Sequence, residues 1–307
     1  MPVSPSTSIV NPIRTAWFGM RCQFTQRAMA GALESGGVQP AVVVLPRAPR
    51  PHGSGWPELP FDRWVREKGA TIVEVDRLSG VDLRLVLSEV EAHGVVLGVG
   101  ACFPWKIPAS VRAALRGGVL NIHPSLLPSL RGPDPVFHTY RDGLEVTGVT
   151  VHLMDDGWDS GPILARESIP VPDDGRMEDL EASLAHMGGR LLGRVASPWC
   201  AGVVEPIVQD ESLASWAPIP SERDRLIPTG LTVSQASRFV RACGPLRAPD
   251  PITGSPVTVD TVIAPDSPDF EAFRDAGRLV RVRCLDGDLW LLRHGRQAVV
   301  DVGDVTI

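Results

Sequence analysis

The chain has 307 residues, 43% of them hydrophobic, and a formal net charge of −6, a length typical of about two domains. Because 36 acidic side chains outnumber 30 basic ones, the balance argues against a surface that attracts polyanions everywhere. Five scattered cysteines without a C-x-x-C pair argue against a disulfide framework or a structural zinc site. With no signal-peptide pattern and no membrane-length apolar run, we expect a cytoplasmic protein with no membrane partner.

Strand and helix patterns alternate over the first part of the chain. After a short apolar run at Thr15–Gly19, the continuous apolar segments that suit buried strands are Ala41–Leu45, Thr71–Val75, Gly94–Val99 and Val119–Ile122. Helical patterns fall between them, at Thr25–Leu33, Arg63–Lys68 and Leu83–Glu91. This alternation predicts an α/β domain built on a Rossmann-like, mostly parallel sheet.

The pattern changes after residue 146. Thr147–Met154 alternates with period two, which predicts a strand at a sheet edge or with one wet face. An amphipathic helix follows from Met177 to Val195, and its pattern breaks around Pro198. Pro206–Pro228 reads as a linker. We expect a disordered tail over residues 1–13, one domain over 14–205 and a second over 206–307.

The last hundred residues predict a small, mainly β (OB-like) domain. A capping box at Thr232 and Gln235 starts a helix that runs to Cys243. Three strand patterns follow, with Asp286-Gly287 as a hairpin turn between the last two: Pro256–Ile263, Leu279–Leu285 and Leu289–Arg293.

The segment Gly98-Val99-Gly100 invites a dinucleotide-binding interpretation. The third glycine of G-x-G-x-x-G would fall at Phe103, and no helix pattern opens there. An oxidoreductase with a nicotinamide or flavin is therefore disfavoured. Glycines that allow close packing at the edge of a sheet explain the pattern better.

Two loops carry polar side chains in patterns that suit chemistry. Asn121 and His123 leave the carboxyl end of a buried strand on one face, where open α/β sheets bind ligands. Residues 154–164 contain three carboxylates within five residues, without the order of a calcium loop or a second ligand set. Taken alone, that segment reads as an acidic turn that uses Asp and Gly for its backbone.

Together the two loops resemble the folate-dependent formyltransferase family, which includes methionyl-tRNA formyltransferases, nucleotide-sugar N-formyltransferases and, more distantly, glycinamide ribonucleotide formyltransferase. The family segment N-x-H-x-S-L-L-P-x-x-R-G is similar to Asn121–Gly132, and M-D-x-G-x-D-[ST]-G is similar to Met154–Gly161. The similarity covers most of residues 14–200, which would form the catalytic domain. It continues weakly through Arg225–Ala242, like the linker and helix of the longer members.

The resemblance implies a catalytic triad of Asn121, His123 and Asp159, and the chemistry of these side chains agrees with it. The pKa of a histidine suits proton transfer near neutrality. An asparagine amide can donate a hydrogen bond to the oxyanion of a tetrahedral intermediate. Asp159 would orient His123 and raise its basicity. The mechanism requires no metal.

The resemblance also implies 10-formyltetrahydrofolate as the formyl donor. Its pterin would lie against a loop at residues 102–108 and the acidic loop, contacting Phe103, Trp105, Ile107, Pro108, Met154, Asp155 and Gly157. Phe103, Trp105 and Ile107 could equally be ordinary core residues where a helix begins.

The amine that accepts the formyl group stays open between two classes. The segment Pro46–Asp62, where tRNA-dependent members carry a basic insertion, has Arg47, Arg50 and His52 but no lysine. Residues 206–307 have 11 arginines, no lysine and 14 acidic residues. Since tRNA docking draws on many phosphate contacts, we favour a small amine such as an amino sugar nucleotide or a modified amino acid. Methionyl-tRNA is the alternative, and an inactive folate-binding member is a third; the oligomeric state is not indicated.

Overall fold

The computed structural model describes residues 12–47, 60–250 and 255–294, so most of the expected N-terminal tail lies outside the described residues. The chain divides into two compact units. Within the described residues, the first unit takes 12–135, 147–169 and 181–217, and the second takes 136–146, 170–180 and the residues from 218 onward. None of the helices in the described ranges is both long and apolar enough to cross a membrane.

The first unit is organised around a seven-stranded sheet. Its strands are β1 (Ile13–Gly19), β2 (Val38–Pro46), β3 (Thr71–Val75), β4 (Leu97–Ala101), β5 (Val119–His123), β6 (Val146–Leu153) and β7 (Ile163–Pro170). They lie in the order β3-β2-β1-β4-β5-β6-β7, with β1 to β5 parallel and β6 antiparallel to β5. The order reverses between β1 and β4, the switch point at which such sheets bind ligands. This arrangement confirms the predicted Rossmann-like, mostly parallel sheet.

Both faces of the sheet are buried, as the continuous apolar strands predict. In β2, Val43 and Leu45 belong to one core cluster while Val42 and Val44 belong to the other. The helices of this unit are α1 (Gln23–Ser35), α2 (Phe61–Glu67), α3 (Gly80–Ala92), α4 (Ala109–Ala114) and most of α6 (Met177–Cys200), whereas α5 (Pro135–Arg141) belongs to the second unit from residue 136 onward. α1 and α6 pack so closely that only glycine fits at residue 189, because a Cβ there would lie 1.9 Å from the Ala28 carbonyl oxygen.

The structure corrects three expectations for this unit. β4, with its two glycines, lies in the middle of the sheet and not at an edge. β6 is not at an edge either: β7, which no pattern predicted, covers it, and residues 147–152 are all buried. α6 continues through Pro198 to Cys200, where Trp199 Nε1 donates a hydrogen bond to the Gly117 carbonyl 2.8 Å away and holds the last turn.

The second unit contains a small antiparallel sheet, in agreement with the predicted mainly β C-terminal part. Its elements are α7 (Val233–Cys243), β8 (Leu246–Pro249), β9 (Pro256–Val262), α8 (Phe270–Asp275), β10 (Leu279–Arg283) and β11 (Asp288–Arg293). The strand order is β10-β11-β9-β8. The capping box of Thr232 and Gln235 is present as predicted, and Cys284 N donates to Gly287 O across the predicted hairpin at 2.8 Å. β8 and α8 were not predicted.

Candidate active site

His123 lies at the last position of β5 and is almost fully buried, with 4% exposure. Its Nε2 is 2.8 Å from the Leu130 carbonyl oxygen. Because a carbonyl can only accept, the neutral imidazole carries its proton on Nε2 and leaves a lone pair on Nδ1. That Nδ1 atom lies 3.7 Å from Oδ2 of Asp159. The basic nitrogen of His123 therefore faces a carboxylate.

Asp159 follows β6 in a tight loop and has a left-handed backbone conformation, with φ 53°. Its Oδ2 accepts a hydrogen bond from Gly132 N at 2.9 Å, and its Oδ1 accepts one from Asn121 Nδ2 at 3.2 Å. Burial alone would raise the pKa of this carboxyl, but the neighbouring His123 and His152 and the Gly132 N–H outweigh it. The pKa of Asp159 is therefore well below its usual range, and the group is an anion at neutral pH.

Asn121 connects Asp159 to a histidine that sequence reasoning missed. His152 pairs with Asn121 across β5 and β6 and is 1% exposed. Its Nδ1 lies 3.1 Å from the Leu153 carbonyl oxygen, so its Nε2 accepts from Asn121 Nδ2 at 3.2 Å. The Asn121 amide therefore directs one N–H at Asp159 and the other at His152. His152 of β6 faces this network, and Thr150 bonds to the Ser125 carbonyl, so these polar side chains of a period-two strand are satisfied away from water.

Gly100 on β4 makes room for the Asn121 amide. A Cβ at this position would lie 2.7 Å from Asn121 Oδ1 and 3.4 Å from Met154 Sδ. Contacts at 2.7 Å are closer than Cβ atoms tolerate, so a side chain at residue 100 would displace the amide. The second glycine of the G-x-G segment thus serves this site because it has no side chain.

Burial lowers the pKa of His123, and the nearby Asp159 carboxylate offsets this lowering only in part. The imidazole is therefore neutral near pH 7 and free to accept a proton at Nδ1. When it does so, the ion pair with Asp159 stabilises the imidazolium. The arrangement combines a proton acceptor, a fixed anion beside it and an amide donor within a few ångströms.

Gln209 fixes the Asp159 loop from a segment that the sequence indicated only as a linker. Its Nε2 donates to the Asp159 and Gly161 carbonyls at 2.8 and 2.7 Å. Its Oε1 accepts from Nη2 of Arg131 at 2.8 Å, and Arg131 also pairs with Glu211 at 2.8 Å. The first motif loop and the Asp159 loop are therefore tied together through one amide.

The expected donor-binding residues differ in how much surface they present. Phe103 and Trp105 are half-buried and pack edge to face, with ring centroids 5.4 Å apart, and Pro108 is half-buried at the N-cap of α4. Ile107 is 3% exposed and belongs to the core.

In the acidic loop, Met154 is half-buried, and the exposed Asp155 accepts hydrogen bonds from Gly157 N at 2.9 Å and Ser160 Oγ at 3.0 Å. Asp155 therefore uses its side chain to shape the turn, which is what the interpretation of this segment as an acidic turn predicts. Among the residues that the structure describes, no group of three or more His, Cys, Asp or Glu side chains could hold a metal ion.

Comparisons with known proteins identify the family of the chain. The formyl transferase family model matches residues 65–196. A methionyl-tRNA formyltransferase of Heliobacterium modesticaldum is 31% identical over 215 residues, 70% of this chain and 67% of that protein. One from Chloroflexus aurantiacus is 41% identical over 160 residues, 52% of each chain. The chain thus matches between about half and two thirds of the length of these curated relatives.

Solved structures share the fold over more of the chain. An N-formyltransferase from Helicobacter canadensis, solved with folinic acid and dTDP-3-aminofucose, has a TM-score of 0.61 at 14% identity and covers 92% of this chain and 99% of that one. The sugar 3N-formyltransferase WlaRD has a TM-score of 0.58 at 15% identity, with 92% and 97% coverage. Motifs, fold and relatives together show that the chain belongs to the folate-dependent formyltransferase family.

Proposed function

We propose that this protein transfers the formyl group of 10-formyltetrahydrofolate to a primary amine, using Asn121, His123 and Asp159. The observation that carries the proposal is the convergence of these three side chains at the carboxyl end of β5. His123 lies 3.7 Å from Asp159, which accepts a hydrogen bond from Asn121 at 3.2 Å. The alternative of an inactive folate-binding member is disfavoured because nothing in this constellation is missing.

His123 acts as the proton acceptor. An attacking amine must lose a proton as it becomes an amide, and a buried neutral imidazole with its lone pair on Nδ1 can take it. Asp159 remains ionised and holds the resulting imidazolium. The proton can then return toward the departing nitrogen of the donor.

Asn121 stabilises the oxyanion of the tetrahedral intermediate. Its Nδ2 donates to Asp159 and His152. The developing oxyanion competes with His152 Nε2 for one N–H, since an anion is the stronger acceptor. One such donor contributes about 3 to 4 kcal/mol in comparable oxyanion holes.

The residues that would hold the donor fit a flat ring with a polar edge. When bound, 10-formyltetrahydrofolate supplies an activated formyl carbon for the amine to attack. Gly100 lets the Asn121 amide and Met154 approach this strand, because a Cβ at residue 100 would lie 2.7 Å from Asn121 Oδ1 and 3.4 Å from Met154 Sδ. Phe103 and Trp105 offer aromatic surface, and Pro108, Met154, Asp155 and Gly157 supply the remaining wall, with Ile107 beneath it in the core. We assign this chemistry to the domain over residues 14–205.

For the acceptor we favour a small amine over methionyl-tRNA. In the second unit, five arginines pair with carboxylates, which lowers the positive charge that they offer to phosphates: these pairs are Arg238–Glu145, Arg247–Glu222, Arg274–Glu271, Arg281–Asp288 and Arg293–Asp250. Arg47 lies 3.6 Å from Asp76, and Arg50 and His52 lie outside the described residues. Methionyl-tRNA stays the second candidate because the curated relatives carry that name.

The acceptor is tested by incubating the enzyme with 10-formyltetrahydrofolate and a panel of amino sugar nucleotides, amino acids and methionyl-tRNA, with mass spectrometry of each product. We expect a formylated small amine whose formation depends weakly on salt. Efficient formylation of methionyl-tRNA would overturn this preference, above all if affinity fell by about a thousandfold between roughly 50 and 200 mM salt. That result would leave formyl transfer itself standing.

A further inference from the structure

Two cysteines flank the point where the strand order of the sheet reverses. Cys22 is the N-cap residue of α1 and lies three positions beyond the end of β1, and Cys102 directly follows β4. β1 and β4 are neighbouring parallel strands, with Gly19 opposite Ala101. The two cysteines therefore leave the same edge of the sheet side by side, although 80 residues of sequence separate them.

Thr25 holds the two chain segments together at this place. Its buried hydroxyl donates to the Ala101 carbonyl at 2.9 Å, next to Cys102, and lies 3.4 Å from Cys22 Sγ. The backbones are in close approach here, since a Cβ on Gly19 would lie 3.0 Å from Ala101 O. Thr25 and the pairing of β1 with β4 therefore hold the two cysteines at neighbouring positions of the backbone.

The two sulfurs differ in reactivity in the way a thiol-exchange pair requires. The neighbouring Cys102 and Thr25 lower the pKa of Cys22, against the effect of its burial. Cys22 also caps a 13-residue helix, whose N-terminus favours an anion. Cys102 is exposed, and the neighbouring Cys22 raises its pKa. Cys22 is thus the thiolate and Cys102 the neighbouring resolving thiol.

We propose that Cys22 and Cys102 form a reversible disulfide that links the ends of β1 and β4 at the switch point, with a small-molecule disulfide such as oxidised glutathione as the oxidant. The Cys22 thiolate attacks one sulfur of the oxidant, a mixed disulfide forms and one glutathione thiolate leaves. Cys102 then loses its proton and attacks Cys22 Sγ, which releases the second glutathione. Two protein thiols are oxidised and one external disulfide is reduced to two thiols.

The linkage would act on the proposed donor site through Phe103. Cys102 has a left-handed backbone, with φ 59°, and precedes Phe103, whose ring packs on Phe18 at 5.7 Å and Trp105 at 5.4 Å between centroids. Drawing Cys102 toward Cys22 must turn the adjoining peptide and shift this aromatic pair. This consequence rests on the proposed function, whereas the disulfide itself does not.

The full-length reduced protein is equilibrated in glutathione buffers of rising oxidised fraction, quenched with an alkylating reagent, digested and examined by mass spectrometry. We expect a Cys22–Cys102 cross-linked peptide that a dithiol reductant removes. Cys22→Ser and Cys102→Ser each abolish it, and Cys284→Ser, which changes a half-buried cysteine of the second unit, leaves it unchanged. Two alkylated thiols throughout, or a mixed disulfide that never resolves into the cross-link, would overturn the proposal.

Binding of folinic acid to the reduced and oxidised protein separates the two parts of the inference. We expect affinity to fall about tenfold on oxidation, the size of a lost aromatic contact, and to be insensitive to oxidant in Cys102→Ser. Equal affinity would overturn the effect on the donor site while the cross-linked peptide stands. If neither form binds folinic acid, the proposed function fails, and the mass spectrum still shows whether the Cys22–Cys102 disulfide forms.

Discussion

Substitution of Asp159 by Asn removes one charge from the site and keeps the size of the side chain. The carboxylate lies 3.7 Å from the nitrogen of His123 that gains a proton. At an effective dielectric constant of about 20, the attraction between unit charges at that distance is about 4 kcal/mol. Because the imidazolium exists only after proton transfer has begun, this energy is lost from the transition state and not from substrate binding. We therefore expect kcat to fall about a thousandfold.

The assay is single-turnover formyl transfer under saturating donor, with folinic acid affinity measured in parallel to show that the pocket is intact. Asp173→Asn serves as a matched control, because the Asp173 side chain is 84% exposed and pairs with Arg238. We expect the control to match wild type. An Asp159→Asn enzyme that kept more than about a tenth of the wild-type rate would refute the electrostatic argument, which requires a loss of several factors of ten.

Three further outcomes follow from the same geometry. The pKa of the His123 imidazole, followed by NMR in the free enzyme, should lie below that of an ordinary histidine, because burial lowers it; an unshifted or raised pKa would contradict this. Gly100→Ala should lower kcat by about tenfold or more with little change in melting temperature, since its Cβ would lie 2.7 Å from Asn121 Oδ1; unchanged kinetics would show that the amide tolerates displacement. Gln209→Ala should lower the free energy of unfolding by about 1–3 kcal/mol and reduce kcat more than it raises KM, because the Asp159 carbonyl loses its partner; a pure KM effect would place Gln209 in substrate binding.

Sequence patterns identify most of the strands and both motif loops of this protein because those features are local. Continuous apolar runs mark β2 and β5, whose residues are buried on both faces, and Asn121 and His123 follow from their position at a strand end. The period of β6 was misleading for a physical reason. Its polar residues are satisfied by the site, where Thr150 donates to the Ser125 carbonyl at 2.7 Å and His152 contacts Asn121.

The supporting residues of the site could not be found by local pattern. Gln209 lies 50 positions from Asp159 and in a segment with linker composition, yet it donates to that residue's carbonyl. Gly100 resembles a packing glycine until the neighbouring strand places Asn121 against it. Cys22 and Cys102 are likewise distant in sequence, and only the pairing of β1 with β4 shows that they are neighbours.

The most direct test of the account is transfer of an isotopically labelled formyl group from 10-formyltetrahydrofolate to amine acceptors, compared between wild type and His123→Ala in a single turnover. The account predicts labelled product with wild type and none above background with the variant, while both bind folinic acid with similar affinity. Equal rates in the two proteins would contradict the role of His123. A wild-type protein that binds the donor and labels no acceptor, methionyl-tRNA included, would contradict formyl transfer.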